Sequence, residues 1–269
     1  SNSTSASDAP SIANLKSSLV SNSTLADASS SSLESNFSAS NGFLSTLQWK
    51  FPVTNFNATN AKRAIFLLSM GQEAAESTIV ERCLLSIRRR GAYLGPVIVL
   101  TDAPLERYES LTSVDPNLIV LHPRSEDWRW DLRDDMPYKR FKTYILEYLD
   151  LDDRLKFVEL VYYLDVDIVV GRELQRWFDH VESTYLPENH NYSSSMTFFN
   201  GNRIPGGAFT PVQGGQFVLE RNSSQACLER WRYHIDAHRD KPKDQYALDL
   251  MWKKQKNGTP SSSICHLTM

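Results

Sequence analysis

PVIVLTDAPLERYESLTSVDPNLIVLHP, residues 96–123, is the stretch on which the fold turns. It opens with the apolar run PVIVLTD (96–102), passes through the helix-like APLERYESL (103–111) and closes on a second apolar run, NLIVLHP (117–123). Short apolar runs bounded by Asp, Pro and Asn predict buried strands, and the charged segment between them predicts a crossover helix. The pattern repeats upstream. AIFLLSMG (64–71) is a further strand, and ESTIVERCLLSIRRRG (76–91) sets Ile79, Cys83, Leu84 and Ile87 at helical spacing before Gly91. Strand and amphipathic helix in alternation predict an α/β domain whose central sheet is mostly parallel and flanked by helices.

Downstream, a polar Trp-rich stretch (125–137) precedes a helix, YKRFKTYILEYLD (138–150), and a strand, KFVELVYYLDVDIVV (156–170). A helix over 172–181, strands over 197–202 and 214–221, and helices over 224–238 and 244–255 complete the pattern. Residues 1–60 are dominated by Ser, Asn, Thr and Ala and bury too little apolar surface to offset chain entropy, so they predict a disordered N-terminal stem. One domain over 61–269 remains.

Composition narrows the function. With 29 Lys+Arg against 32 Asp+Glu the chain carries −3, so it has no basic footprint for nucleic acid. Cys83, Cys227 and Cys265 lack metal-ligand spacing and allow one disulfide at most. No run reaches the length that spans a bilayer. The chain opens at Ser1 rather than Met, and a membrane anchor is expected upstream of it. Sequons at Asn2, Asn22, Asn36 and Asn57 in the stem, and at Asn191, Asn222 and Asn257 in the body, point to a secretory-pathway or Golgi lumen.

The chemistry centres on YYLDVDIVVG (162–171). Strand alternation would send Asp165 and Asp167 to one face and Val166 to the other. Two buried like charges demand a counter-charge, and in open α/β sheets ligands gather at the carboxyl ends of strands. A divalent cation meets both conditions, and hard carboxylate oxygens suit Mn²⁺ or Mg²⁺ with phosphate oxygens in the open positions. The plainer alternative is a strand end with both carboxylates solvated or capping the next helix. Two chemistries use such a pair: phosphoryl transfer of the haloacid-dehalogenase type, which wants the pair on its first strand, and nucleotide-sugar transfer, where several β-α units precede it.

In LLSMG, YKRFKTYILEYL, YYLDVDIVV and VQGGQFVLER followed by KDQYALDLM, taken in order, the chain resembles the glycogenin-like retaining glycosyltransferases (family 8) of the GT-A fold, a Rossmann-like sheet. The resemblance runs from about Ala64 to His266. It implies that Asp165 and Asp167 bind Mn²⁺, with the backbone at Val166 near the nucleoside. Lys142, with Lys139 as its nearest rival, would approach the donor diphosphate, and Ser69 and Gly71 the base. Gln213, Gly214 and Gly215 stand where the family has Asn-Ser-Gly, beside the donor sugar, a change that bears on the choice of sugar. Asp244 and Gln245 match an Asp-Gln pair next to the transferred sugar, and Asp244 is also placed to cap a helix.

His266 falls where the family has a third metal ligand, but the segment that follows that histidine in the family is not in this sequence, so a C-terminally incomplete domain is expected. Asp102 reads as a helix cap, and Trp128 and Trp130 as loop anchors. The resemblance implies a Mn²⁺-dependent hexosyl- or pentosyltransferase moving sugar from a UDP-sugar to a glycan or glycoprotein acceptor. A catalytically silent nucleotide-sugar or glycan binder is the alternative, with a phosphatase behind it.

Overall fold

The computed structural model describes residues 61–71, 78–128, 137–189, 191–199, 212–238, 244–257 and 265–268. The expected stem, its sequons and Trp130 lie outside them. The strands are β1 (Arg63–Ser69), β2 (Val97–Thr101), β3 (Leu118–Leu121), β4 (Leu160–Asp165), β5 (Ser195–Phe198), β6 (Gln216–Glu220) and β7 (His266–Thr268). They form one seven-stranded sheet in the order β3-β2-β1-β4-β6-β5-β7. Four of its six pairings are parallel, and only β6 runs against its neighbours. The helices are α1 (Ile79–Leu85), α2 (Glu109–Val114), α3 (Ile145–Leu149), α4 (Leu174–Thr184), α5 (Leu186–Asn189), α6 (Gln225–Ala237) and α7 (Asp244–Lys256).

The central residues of β1, β2 and β4 are buried and mostly apolar because both faces of the sheet are covered. Ala64, Phe66 and Leu68 of β1 join Val161 and Tyr163 of β4, Phe217 of β6 and Trp231 of α6 in one core. Ile65 and Leu67, one residue out of phase, join Tyr162, Leu164, Cys83 of α1 and Phe178 of α4 in the other. The chain winds β1-β2-β3 outward, then returns to lay β4 on the opposite side of β1. That reversal between β1 and β4 sets the position of the crevice, outside the carboxyl ends of the strands, in which open α/β sheets bind ligands.

Three expectations are corrected. The strand expected over 156–170 ends at Asp165, where its neighbours stop: Asp165 pairs with Leu68 near the end of β1, and β6 begins opposite Leu164. The chain then turns, the Ile168 N–H donating to the Asp165 carbonyl at 3.0 Å. The helix expected over 138–150 is a 3₁₀ turn, Pro137–Tyr144, leading into the short α3. The helix expected over 76–91 is α1 followed by a wider π turn, Ser86–Arg90. Gly91 closes that turn where a Cβ would fall 2.4 Å from the Ile87 carbonyl oxygen.

The last strand, β7, went unforeseen. A disulfide between Cys227 of α6 and Cys265, with Cα atoms 4.9 Å apart, fixes its entry.

Candidate functional site

Four segments meet at the crevice. Asp165 closes β4 and keeps the parity of Tyr163, so its side chain faces the α6–α7 side of the sheet. Antiparallel β6 brings its first residues to the same end, and the Asp165 N–H donates to the Gly215 carbonyl at 2.9 Å. Asp244 opens α7, its carbonyl held by the Trp231 indole N–H at 3.0 Å. The 3₁₀ turn supplies the cations. At three residues per turn, side chains at i and i+3 eclipse, so Lys139 and Lys142 stand on one line.

Both lysines reach Asp244. Lys142 Nζ lies 2.8 Å from Asp244 Oδ2, 3.1 Å from Asp165 Oδ1 and 2.9 Å from the Gly214 carbonyl oxygen, which matches an ammonium's three N–H donors. Its side chain is only 4% exposed. Lys139 Nζ stands 3.7 Å from Asp244 Oδ1 and is 30% exposed. Lys142 therefore ties two carboxylates and the glycine turn together beneath the crevice, and the cation nearer solvent is Lys139.

Burial works against the Lys142 charge, yet Asp244 and then Asp165 outweigh it and hold the ammonium above the ordinary lysine value. Burial likewise disfavours the Asp244 carboxylate, but Lys142, Lys139 and the Gln245 N–H hold its carboxyl below the usual range. Tyr163, fully buried under Lys142 with the ammonium 5.0 Å from its ring centroid, donates its hydroxyl to Asp165 Oδ1 at 2.7 Å. Burial first, and the Asp165 charge second, keep that phenol well above its ordinary value, so it stays a donor.

The glycines are required by space. A Cβ on Gly215 would lie 2.7 Å from Asp165 Oδ2, and one on Gly214 3.1 Å from Asp244 Oδ2. Gln245 was expected to reach a sugar; instead its amide clamps the turn, accepting the Gly214 N–H at 3.2 Å and donating to the Val212 carbonyl. Gln213 is half-buried on the same turn. Asp244 is the first residue of α7 and accepts the next N–H, that of Gln245, at 2.9 Å.

Asp167 is exposed in the turn after β4, beyond the reach of strand alternation. Its charge acts on Cys83 of α1, whose thiol is pushed up to about 12 by burial and then by Asp167, and also on the Tyr163 phenol beside Asp165. The half-buried Val166 stands between the two aspartates at the end of β4. At the end of β1, Ser69 is buried and Gly71 adopts φ +86°. The Gly71 N–H donates to both carboxylate oxygens of Asp102 at 3.1 Å. Asp102 is therefore no helix cap: the 3₁₀ turn that follows has Pro104 at its N-cap position and no side-chain cap. It is an acidic group at the crevice that sequence reasoning set aside, although its place at the end of VIVLTD was the signal. Trp128, as expected, packs edge-on against Phe141.

The structure does not bring His266 to this site. It opens β7 opposite Ser195 and, through the β5–β6 and β6–β4 registers, stands level with Leu160. It is thus three strands across and five residues down from Asp165, about 20 Å at ordinary strand spacing and rise. Its ring stacks on Tyr192, centroids 3.6 Å apart. Among the described residues no group of three or more His, Cys, Asp or Glu side chains is placed to hold a metal by itself.

A cation with phosphate partners still fits. Asp165 Oδ1 is taken by Tyr163 and Lys142, while Oδ2 faces the space that Gly215 leaves open. Among the described residues Lys139 and Lys142 balance Asp165 and Asp244, while Asp102 and Asp167 add two further carboxylates. Mg²⁺-type sites are commonly one or two carboxylates completed by substrate phosphates.

No family model matches the chain, and no curated protein does. Similar solved structures include the apo-form glycosyltransferase GlyE of Streptococcus pneumoniae TIGR4, at 16% identity over 73% of this chain and 46% of that one, TM-score 0.46. Another is the galactosyltransferase LgtC in complex with donor and acceptor sugar analogs, at 14% identity over 69% of each chain, TM-score 0.49. An active-site mutant of LgtC matches at 14% identity over 70% of this chain and 69% of that one, TM-score 0.46. The chain spans less than half the length of GlyE.

Proposed function

We propose that this chain is a GT-A glycosyltransferase of the glycogenin-like retaining kind, transferring a hexose or pentose from a UDP-sugar to a glycan or glycoprotein acceptor. The observation that carries the proposal is the constellation at the β1/β4 reversal: the Asp165 carboxylate under the Gly214–Gly215 turn, with Asp244 and two lysines behind it. Each part has a task. Asp165 and Asp167 would hold Mn²⁺ or Mg²⁺, which offsets charge on a departing diphosphate when bound. Lys139 adds a half-buried positive group for that diphosphate, and Lys142 fixes Asp165 and Asp244 at their separation. Electrostatic groups held in place before reaction need no reorganisation during it. Ser69 and Gly71 border the nucleotide, Val166 offers backbone beside it, and Gln213 faces the sugar. The Cys227–Cys265 disulfide supports a secretory-pathway lumen, the Golgi included, because such bonds persist in oxidising compartments.

A panel of nucleotide sugars assayed for donor hydrolysis with and without Mn²⁺ tests it. Asp165→Ala and Asp167→Ala are expected to abolish Mn²⁺-dependent hydrolysis while the fold stays intact. Full activity in either purified variant would overturn the assignment. Two observations favour a second reading, a silent nucleotide-sugar binder: the Lys142 ammonium is fully engaged by protein acceptors, and among the described residues no third metal ligand joins the aspartates. UDP binding without hydrolysis of any donor would select it. A dehalogenase-type phosphatase has no such support, since the pair follows the fourth strand in chain order rather than the first.

A further inference from the structure

Asn191, Asn222 and Asn257 begin the three sequons of the body, far apart in sequence, and the fold gathers them on one rim. Asn222 is exposed in the turn that follows β6. Because β6 runs against β4, that turn lies at the amino end of β4, where the Arg221 N–H donates to the Glu159 carbonyl at 2.8 Å. Asn191 is exposed in the turn before β5, which runs with β4 and so begins at the same end. The two turns adjoin: the Ser195 N–H donates to the Ser223 carbonyl at 3.2 Å. Asn257 is exposed just past α7, which starts at the crevice with Asp244 and runs about 20 Å away from it at the ordinary helical rise. Its last turn meets β7 where Gln255 pairs with Leu267.

From this placement we infer that Asn191 and Asn222 carry N-linked glycans, on the end of the domain opposite the proposed donor crevice. The inference rests on the luminal part of the proposed function. Asn257 shares the rim, but its sequon runs into Pro260, which restricts the backbone of the acceptor Thr259, so the two turn asparagines are the assigned sites. In the transfer, the Asn Nδ2 forms a bond to the anomeric carbon of an oligosaccharide carried on a lipid diphosphate. The carbon–oxygen bond to the diphosphate breaks, the diphosphate leaves with the bonding pair, and the amide gives up one proton to a base of the transferase.

The folded state also sets the order of events at Asn222. The Ser224 hydroxyl, which the sequon must present, is buried, donates to the Ser195 carbonyl at 2.7 Å and accepts the Glu220 N–H at 2.9 Å. Modification of Asn222 therefore precedes closure of this turn, while the chain is still unfolded. A bulky polar glycan at either asparagine then lies in solvent, clear of the crevice.

The protein isolated from the cells that make it, treated with peptide N-glycosidase in ¹⁸O-water and digested, provides the test. Residues 191 and 222 are each expected as ¹⁸O-labelled aspartate, and Asn191→Gln and Asn222→Gln each to remove one mobility step without changing donor hydrolysis. A parallel thiol count reads the Cys227–Cys265 disulfide. Unlabelled asparagines with the disulfide intact would overturn the glycan assignment alone. Unlabelled asparagines with Cys227 and Cys265 free as well as Cys83 would overturn the luminal reading too.

Discussion

At Gly215 one methyl group would bear directly on the Asp165 carboxylate. A Cβ there would meet Asp165 Oδ2 at 2.7 Å, so Gly215→Ala must push the carboxylate aside. Titration with Mn²⁺ and UDP should show at least about 1.4 kcal/mol of lost affinity, tenfold in Kd, with the melting temperature little changed. Lys142→Met has the opposite profile. It leaves Asp244 buried without its closest counter-charge, and unfolding in urea should show a loss of about 3–5 kcal/mol, as breaking a buried pair does. The pH dependence follows from the same pair. The Asp244 carboxyl sits below its ordinary 3.8 in the folded protein, so its contribution is complete above that value and is lost as pH falls through the lower folded value. Lys142 sits above its ordinary 10.5, so its contribution is complete below that value and is lost as pH rises through the higher folded value. Asp244→Asn should flatten the acid limb of stability against pH between wild-type and variant.

At the scale of elements, the turn after β4 is held from the other face of the sheet. Ser86, in the π turn, donates its hydroxyl to the Cys83 carbonyl at 2.7 Å and accepts the Val170 N–H at 2.9 Å. Ser86→Ala would leave that buried N–H unpaired, at about 1–3 kcal/mol, and hydrogen exchange over 166–170 should quicken before the rest of the sheet. The sequence made the strands legible because each is an apolar run between turn residues, and AIFLLSMG, PVIVLTD and NLIVLHP fall on β1, β2 and β3. It hid the geometry of YKRFKTYI. Three-residue and 3.6-residue repeats both suit that string, and only packing of Phe141 and Tyr144 into the core beside α6 selects the 3₁₀ form that aligns Lys139 with Lys142. The end of β4 was hidden for a different reason. Ile168, Val169 and Val170 look like more strand, but a strand continues only while its neighbours do.

At the scale of the molecule, the weakest edge of the sheet is its best anchored. β7 has three residues and one strand neighbour, and Cys265 joins its entry to α6 across 38 residues of sequence. By chain entropy, closing such a loop stabilises the fold by about 4 kcal/mol, so mild reduction should lower Tm by roughly 10 °C in a domain of this size. Calorimetry with and without reductant reads that shift directly. The sequence announced only that one bridge was possible. Partner choice and β7 itself depend on a three-residue match to β5 that no periodicity reveals, and the same match carries His266 away from the aspartates.

The reach of Lys142 has a consequence for how the protein is made. Its ammonium finds Gly214 72 residues later and Asp244 102 residues later, so the last of its partners leaves the ribosome long after the sheet's first three strands. Contacts this far apart in sequence form late, because loop closure must be met before they contribute. A chain interrupted before Asp244 would hold Asp165 without the lysine's second carboxylate and without the helix that steadies the glycine turn. The constellation around Lys142 is thus complete only in a molecule whose helices α6 and α7 have docked.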